Sequence, residues 1–376
     1  MKSLFPERVY TPDWAERERR KLGNCDPGLL ERCVVALSLL GHLAESGLPF
    51  LFKGGTSLLL HLPAVRRLSV DIDIVCPATD VELDRVVGGV GGRPPFLGWE
   101  QDVRGTAAGR EPLPRRRHFK LWFASGRAAG GRSYVLLDVV QEAEWKHDTV
   151  QLPIRTSFLE PDHEIRVRLP TLEALLGDKL TAFAPTTTGV RLRRPGGEAG
   201  EVMQVAKQLF DIGVLFEHAR DFDAVRRAYD EVQAQESAYR QGVHDRNASL
   251  DDTLTASLGL TTATRLRKAP QHRFPDAPLL LEGFSKLGGH LTQGRLSDND
   301  LRVLAARAGV MAACLRAGHR MDLASDRYTR SNAQVEALRH ASLQGHPEAW
   351  LDGLKVTNPE AFHYWHLGMR VLGTLG

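Results

Sequence analysis

Apolar positions along the chain follow two regimes. From about Gly28 to Ala44, GLLERCVVALSLLGHLA carries apolar residues at helical spacing, and Gly47 and Pro49 then punctuate the chain. LPFLFKGGTSLLLHL predicts a short strand ending at Gly54 and Gly55, followed by a helix opening on Thr56 and Ser57; RRLSVDIDIV predicts the next strand. Between Gly88 and Arg117, Gly, Pro and Arg are so frequent that the pattern predicts loops and an insertion around short elements. HFKLWFAS and SYVLLDVVQE predict paired strands, with Val135, Leu137 and Val139 alternating against Leu136, Asp138 and Val140. After about Pro170 strand signals fade and amphipathic helices continue to the end, with no internal repeat. The expected fold is α/β (α+β): a mixed β-sheet flanked by helices over residues 1–165, then a mainly helical domain over 166–376.

RLSVDIDIV, Arg67 to Val75, sets two acids among β-formers. In an extended strand Ser69, Asp71 and Asp73 line one face while Val70, Ile72 and Ile74 line the other. Carboxylates held that close repel and require a cation or a proton between them. Hard oxygen ligands on a rigid strand suit Mg²⁺, which keeps several waters and bridges protein carboxylates to substrate phosphates. An edge strand with polar residues facing water has the same pattern.

Composition changes this picture little. The 376 residues are 42% hydrophobic and 25% charged, ordinary globular usage with room for two domains. Cys25, Cys33, Cys76 and Cys314 show neither CxxC spacing nor a disulfide framework, which fits a reducing cytoplasm. MKSLFPERVY has charges where a signal peptide needs its apolar core, and no run is expected to span a membrane. The net charge is only +3, but Arg115, Arg116, Arg117, His118 and Lys120 are bunched, as are Arg191, Arg193 and Arg194. Such clusters contact phosphates in some proteins and form solvated faces in many more.

Other residues add chemistry. The turn Gly54-Gly55-Thr56-Ser57 precedes a predicted helix, where glycines admit a phosphate and free N–H groups and hydroxyls donate to it; it can also be simply a turn. Asp138 is a candidate third carboxylate if its strand lies beside the first; alternatively it reaches solvent near a strand end. Lys179 falls within the apolar stripe of LPTLEALLGDKLTAF, so it either meets a triphosphate or snorkels to water. Asp211, in EVMQVAKQLFDIGVLFEH, could form a plain surface ion pair with Lys207. The two histidines of FHYWHLGM, Phe362 to Met369, are explained by helix packing.

Taken in order, KGGTSLLLHLPAVRRLSVDIDIV, YVLLDVV, LEALLGDKLTAFAP and KQLFDIGVLFE resemble the AbiEii/AbiGii (MenT-type) nucleotidyltransferase toxins of the DNA polymerase β-like superfamily. The likeness runs from about Phe50 to His218. It implies a nucleotidyltransferase-type sheet, with phosphates held by Gly54, Gly55, Thr56 and Ser57, and Arg67 and Ser69 completing an R-x-S-x-D-x-D motif. It also implies two Mg²⁺ ions at Asp71 and Asp73, with Asp138 as third carboxylate, and catalytic roles for Lys179 and Asp211 contributed by the helical domain. The later family motif typically reads Arg-Asp-Leu-Tyr-Asp-Leu; here Lys207, Gln208, Leu209, Phe210, Asp211 and Ile212 stand in its place, without the first acid. The activity implied is transfer of NMP from an NTP to the 3′ end of tRNA, in a toxin restrained by a cognate antitoxin, in a toxin–antitoxin or phage-defence setting; the chain is expected to be cytoplasmic and monomeric. The alternatives are a protein or small-molecule acceptor, or a non-catalytic nucleotide- or RNA-binding regulator.

Overall fold

The computed structural model describes residues 3–23, 25–103, 114–142, 145, 147–266 and 268–373. The chain divides into two compact units: Met1–Thr171 with Gly289–Gly294, and Leu172–Gly288 with Arg295–Gly376.

The first unit contains α1 (Pro12–Lys21), α2 (Pro27–Glu45), β1 (Leu51–Lys53), α3 (Leu58–His61), β2 (Ile72–Cys76), α4 (Asp80–Gly91), β3 (Phe96–Gln101), β4 (Arg115–Ala124), β5 (Arg132–Gln141), β6 (Thr149–Pro153) and β7 (Arg166–Pro170). Five strands form a mixed sheet in the order β1-β2-β5-β4-β3, in which β2 and β5 are parallel and the other pairs antiparallel. β6 and β7 form a separate antiparallel pair. Alternation gives the large sheet one apolar face, with Phe52, Ile72, Ile74, Phe119, Leu121, Val135, Leu137 and Val139 all buried. These residues share a core with α2 and α4.

α2 starts where Asp26 accepts the backbone N–H of Leu29 and Pro27 takes the first helical position. By length and composition it could cross a membrane, contrary to the sequence expectation that no run would. The physical explanation is burial: 72% of its most apolar window lies inside the protein, so it is as apolar as a core helix has to be. The Gly-rich stretch also differs from expectation. Gly88 to Gly91 close α4 rather than forming a loop, and a Cβ at Gly91 would lie 2.7 Å from the Trp99 ring on β3. Phe96–Gln101 and residues 115–117 of the same stretch belong to β3 and β4, and residues 104–113 lie outside the described residues.

The second unit is helical among its described residues: α5 (Leu172–Ala182), α6 (Val202–His218), α7 (Phe222–Tyr239), α8 (Arg246–Ala263), α9 (Ala277–Leu287), α10 (Asp298–Ala317), α11 (Asn332–His340), α12 (Leu354–Thr357) and α13 (Pro359–Gly373). α10 is its axis and packs on α6, α8 and α13. Small residues Ala305, Ala306, Ala308, Gly309, Ala312 and Ala313 allow that approach, and the Trp365 ring of α13 occupies the space a side chain at position 309 would fill. Helix packing thus accounts for much of FHYWHLGM, where Phe362, Tyr364 and Trp365 are buried and His363 Nε2 lies 2.7 Å from the Asp326 carbonyl oxygen.

One segment of the first unit comes from far along the chain. Gly289–Gly294 lies against the residues leading into β2: Leu68 N–H donates to His290 O (2.7 Å), Thr292 N–H to Arg66 O (3.1 Å), and Thr292 Oγ1 to Val65 O (2.6 Å). This strap fixes the backbone at Arg67, which forms an antiparallel bridge with Leu291.

Candidate active site

The sheet face opposite the apolar one carries a row of polar residues. Lys53, Asp73, Asp138 and His118 are Cα partners in turn across β1, β2, β5 and β4. Neighbouring strands lie about 4.8 Å apart, so the Asp73 and Asp138 carboxylates are close neighbours on one face. Each is half-buried, between apolar residues that point the other way. Asp71 stands one residue before β2 and is also half-buried.

The Gly54-Gly55 turn closes one side of this row. Gly54, at φ 79° and ψ −170°, occupies backbone space reserved essentially for glycine. A Cβ there would sit 2.0 Å from Asp73 Oδ2; one at Gly55 would sit 2.3 Å from Arg67 Nη2 and 3.2 Å from Ser69 Oγ. The turn therefore presses its backbone onto the Asp73 carboxylate and the Arg67 guanidinium, and Arg67 and Ser69 are themselves nearly sealed. Thr56 and Ser57, expected as phosphate donors, bond to backbone in this structure. Both are fully buried, Thr56 Oγ1 donating to Asp71 O (2.6 Å) and Ser57 Oγ to Gly54 O (2.7 Å), so their hydroxyls fasten the turn to the acid-bearing segment. The helix expected after the turn is also short, a 3₁₀ turn at Gly55–Ser57 followed by Leu58–His61.

Asp138 has a partner that sequence reasoning did not assign. His118 Nδ1 lies 2.6 Å from Asp138 Oδ1. His118 was visible only as part of a basic run, and strand alternation splits that run. Arg117 turns to the covered side, is buried, and binds Asp84 at 2.8 Å and Gln101 at 2.7 Å. Arg115 binds Asp80 at 2.5 Å, and Lys120 binds Asp102 at 3.0 Å, a bond that raises the Lys120 pKa. The run is thus divided between the two faces of β4. Arg193 and Arg194 are likewise ion-paired, to Asp276 and Glu201. Lys53, like His118, gains its place through register; its position in KGGTS gave no sign of a partner across the sheet.

Oxygen-only carboxylate donors on one strand face fit a hard cation such as Mg²⁺, which accepts one or two protein carboxylates and completes its shell with water and substrate phosphates. Among the described residues no group of three or more His, Cys, Asp or Glu side chains forms a ready metal cage. Asp73 and Asp138 are nonetheless Cα partners, so the strands that carry the acids are neighbours in the sheet.

In the second unit, Lys179 on α5 and Asp211 on α6 face each other, Nζ 3.4 Å from Oδ2, and Nζ also donates to Gln208 Oε1 at 2.9 Å. Their side chains are 7% and 1% exposed, so Lys179 does not snorkel and Asp211 is not part of a surface ion pair. Gly177 permits this packing by bringing α5 onto the backbone of α7, where a Cβ would lie 2.6 Å from Tyr229 N.

A mixed sheet with acids on one strand face, a Gly-Gly turn against them and a helical second unit is the architecture of a nucleotidyltransferase. The chain matches the sequence profile described as Nucleotidyl transferase AbiEii toxin, Type IV TA system, over residues 38–284, and it belongs to that family of toxin nucleotidyltransferases. Among solved structures it is similar to MenT4, a nucleotidyltransferase toxin from Mycobacterium tuberculosis H37Rv, at 18% identity over 81% of this chain and 89% of that one, with a TM-score of 0.49. A protein from H. pylori named as a nucleotidyltransferase is similar at 16% identity over 83% of this chain and 96% of that one, with a TM-score of 0.41. No curated protein matches the chain.

Proposed function

We propose that this toxin transfers NMP from an NTP to the 3′ end of tRNA in the cytoplasm, acts as a monomer, and is restrained by a cognate antitoxin. The observation that carries the reading is the in-register pair Asp73 and Asp138, with Asp71 just before it and Gly54 against Asp73. In this reading the acceptor hydroxyl oxygen attacks the α-phosphorus, the bond from that phosphorus to the oxygen bridging to the β-phosphate breaks, pyrophosphate leaves with the bridging oxygen, and the hydroxyl proton passes to solvent. Asp71 and Asp73 would hold two Mg²⁺ ions, which when bound supply charge for the phosphates and the attacking oxygen. Backbone at Gly54 and Gly55 gives the triphosphate a close approach, while Thr56, Ser57, Arg67 and Ser69 keep that backbone in place. Lys179 and Asp211 enter through the family resemblance, as the contribution of the 166–376 domain to activity alongside the 1–165 domain.

The test is incubation of the full chain with total RNA, Mg²⁺ and each labelled NTP separately. Label in tRNA, absent from Asp71→Ala, is the expected result; label in no RNA species would defeat the reading. A second reading, transfer to a protein or small-molecule hydroxyl, is favoured by one observation: the ion pairs of Arg115, Arg117 and Lys120 remove the basic run as a reason to prefer a polyanionic acceptor. Label in protein or in a small molecule would identify that case.

A further inference from the structure

The bond between His118 and Asp138 has a polarity that bears on the acceptor. A carboxylate only accepts hydrogen bonds, so at 2.6 Å the ring donates through Nδ1–H. In the neutral ring that fixes the tautomer and leaves the lone pair on Nε2, the arrangement by which an acid orients a histidine toward a hydroxyl. Among the described residues Nε2 makes no hydrogen bond, and the side chain retains 19% exposure, enough to be reached. The ring belongs to the same cross-strand row as Asp73, on the face that carries both acids.

We propose that His118, oriented by Asp138, accepts a hydrogen bond at Nε2 from the hydroxyl that attacks the α-phosphate. This rests on the transfer reaction proposed above and gives Asp138 a route to the acceptor through the imidazole. The occupant is a hydroxyl rather than a phosphate for a chemical reason: an ionised phosphate oxygen has no proton to offer a lone pair. Lys53, at the other end of the row, is the kind of group a phosphate needs.

The experiment compares wild-type full-length protein with His118→Asn, His118→Gln and His118→Ala, measuring kcat and the KM for NTP on the labelled acceptor. Asparagine keeps a donor near the Nδ1 position and removes Nε2, so kcat should fall about 100-fold or more with the NTP KM within about twofold. Glutamine puts an acceptor oxygen near the Nε2 position and should recover at least about tenfold of that loss. Wild-type kcat in His118→Asn would reduce the ring to a prop for Asp138, and an increased KM with kcat retained would make it a phosphate contact; either result overturns the proposal. A binding measurement covers variants that fold poorly. In ¹⁵N-histidine NMR spectra of the wild type, the His118 Nε2 signal should move with tRNA ending in a 3′-hydroxyl and not with its 3′-deoxy counterpart; equal response to both overturns the proposal. If wild type transfers no NMP to anything, the reaction itself has been misread, and the paired NMR spectra still decide whether Nε2 meets a hydroxyl.

Discussion

Asp138 in the first unit and Asp211 in the second are each bound to a nitrogen-bearing partner, His118 and Lys179, in very different surroundings. Asp138 and His118 are 28% and 19% exposed on a strand face; Asp211 and Lys179 are 1% and 7% exposed between two helices. Water still reaches the first pair, so its members can exchange partners when a substrate arrives. The second pair is closed off, and its mutual attraction offsets part of the desolvation that burying a charge costs, several kcal/mol per ion. One arrangement suits chemistry that changes during a reaction cycle; the other suits a position that must not move.

The sharpest test of that contrast is the loss of one acid from each unit. Asp73→Ala should lower NMP transfer by about 10³-fold or more while the unfolding temperature stays near that of wild type, because a half-exposed carboxylate beside another acid holds little of the fold together. Retained transfer, followed with labelled NTP, would move the chemistry away from the sheet. Lys179→Met should cost about 3–5 kcal/mol in chemical denaturation by removing one partner of the buried pair and should lower transfer as well, and the double variant Lys179→Met/Asp211→Leu should recover most of the stability but not the transfer. A single variant as stable as wild type would show that the pair is not sealed.

Smaller effects sharpen the picture. Gly54→Ala should cost about 1–3 kcal/mol in backbone strain and displace Asp73, so transfer falls together with stability in the same titration. The smallest effect is a pH slope. Burial beside Arg93 lowers the pKa of His42 below its ordinary 6.5, although its contact with the Pro94 carbonyl opposes this. The unfolded chain then takes up the proton first as pH falls, so the His42 contribution is fully present above 6.5 and is lost as pH drops toward the folded-state pKa, by at most about 1.4 kcal/mol per pH unit. Denaturation midpoints measured from pH 7.5 to 5 should show that slope, flattened in His42→Gln.

Alternation made β2, β4 and β5 legible in the sequence, together with the faces that set Asp73 and Asp138 against the apolar residues beside them. Register was not legible, because it depends on which strands become neighbours; the row Lys53, Asp73, Asp138, His118 exists only once β1, β2, β5 and β4 are in place. Lys179 was recognisable as a misplaced lysine from its position in an apolar stripe, but nothing local named Asp211 as its partner. The backbone bonds of the Thr56 and Ser57 hydroxyls were not legible, because a side chain that can cap a ligand can equally cap its own backbone. The strap at Gly289–Gly294 left no trace in the pattern of residues, since much of its hold is through backbone groups that every residue carries.

That strap also sets an order in time. His290 and Leu68 are separated by 222 positions, so the segment feeding the acid-bearing strand waits for a partner that is synthesised far later. At about 5–20 residues per second the delay is roughly 10–45 s, during which Arg66 and Leu68 lack their backbone bonds to the strap. A ribosome carrying the first 171 residues holds a first unit with one thread missing, and a truncated product never acquires it. The segment that leads into the acid-bearing strand is thus completed by residues from the last quarter of the chain.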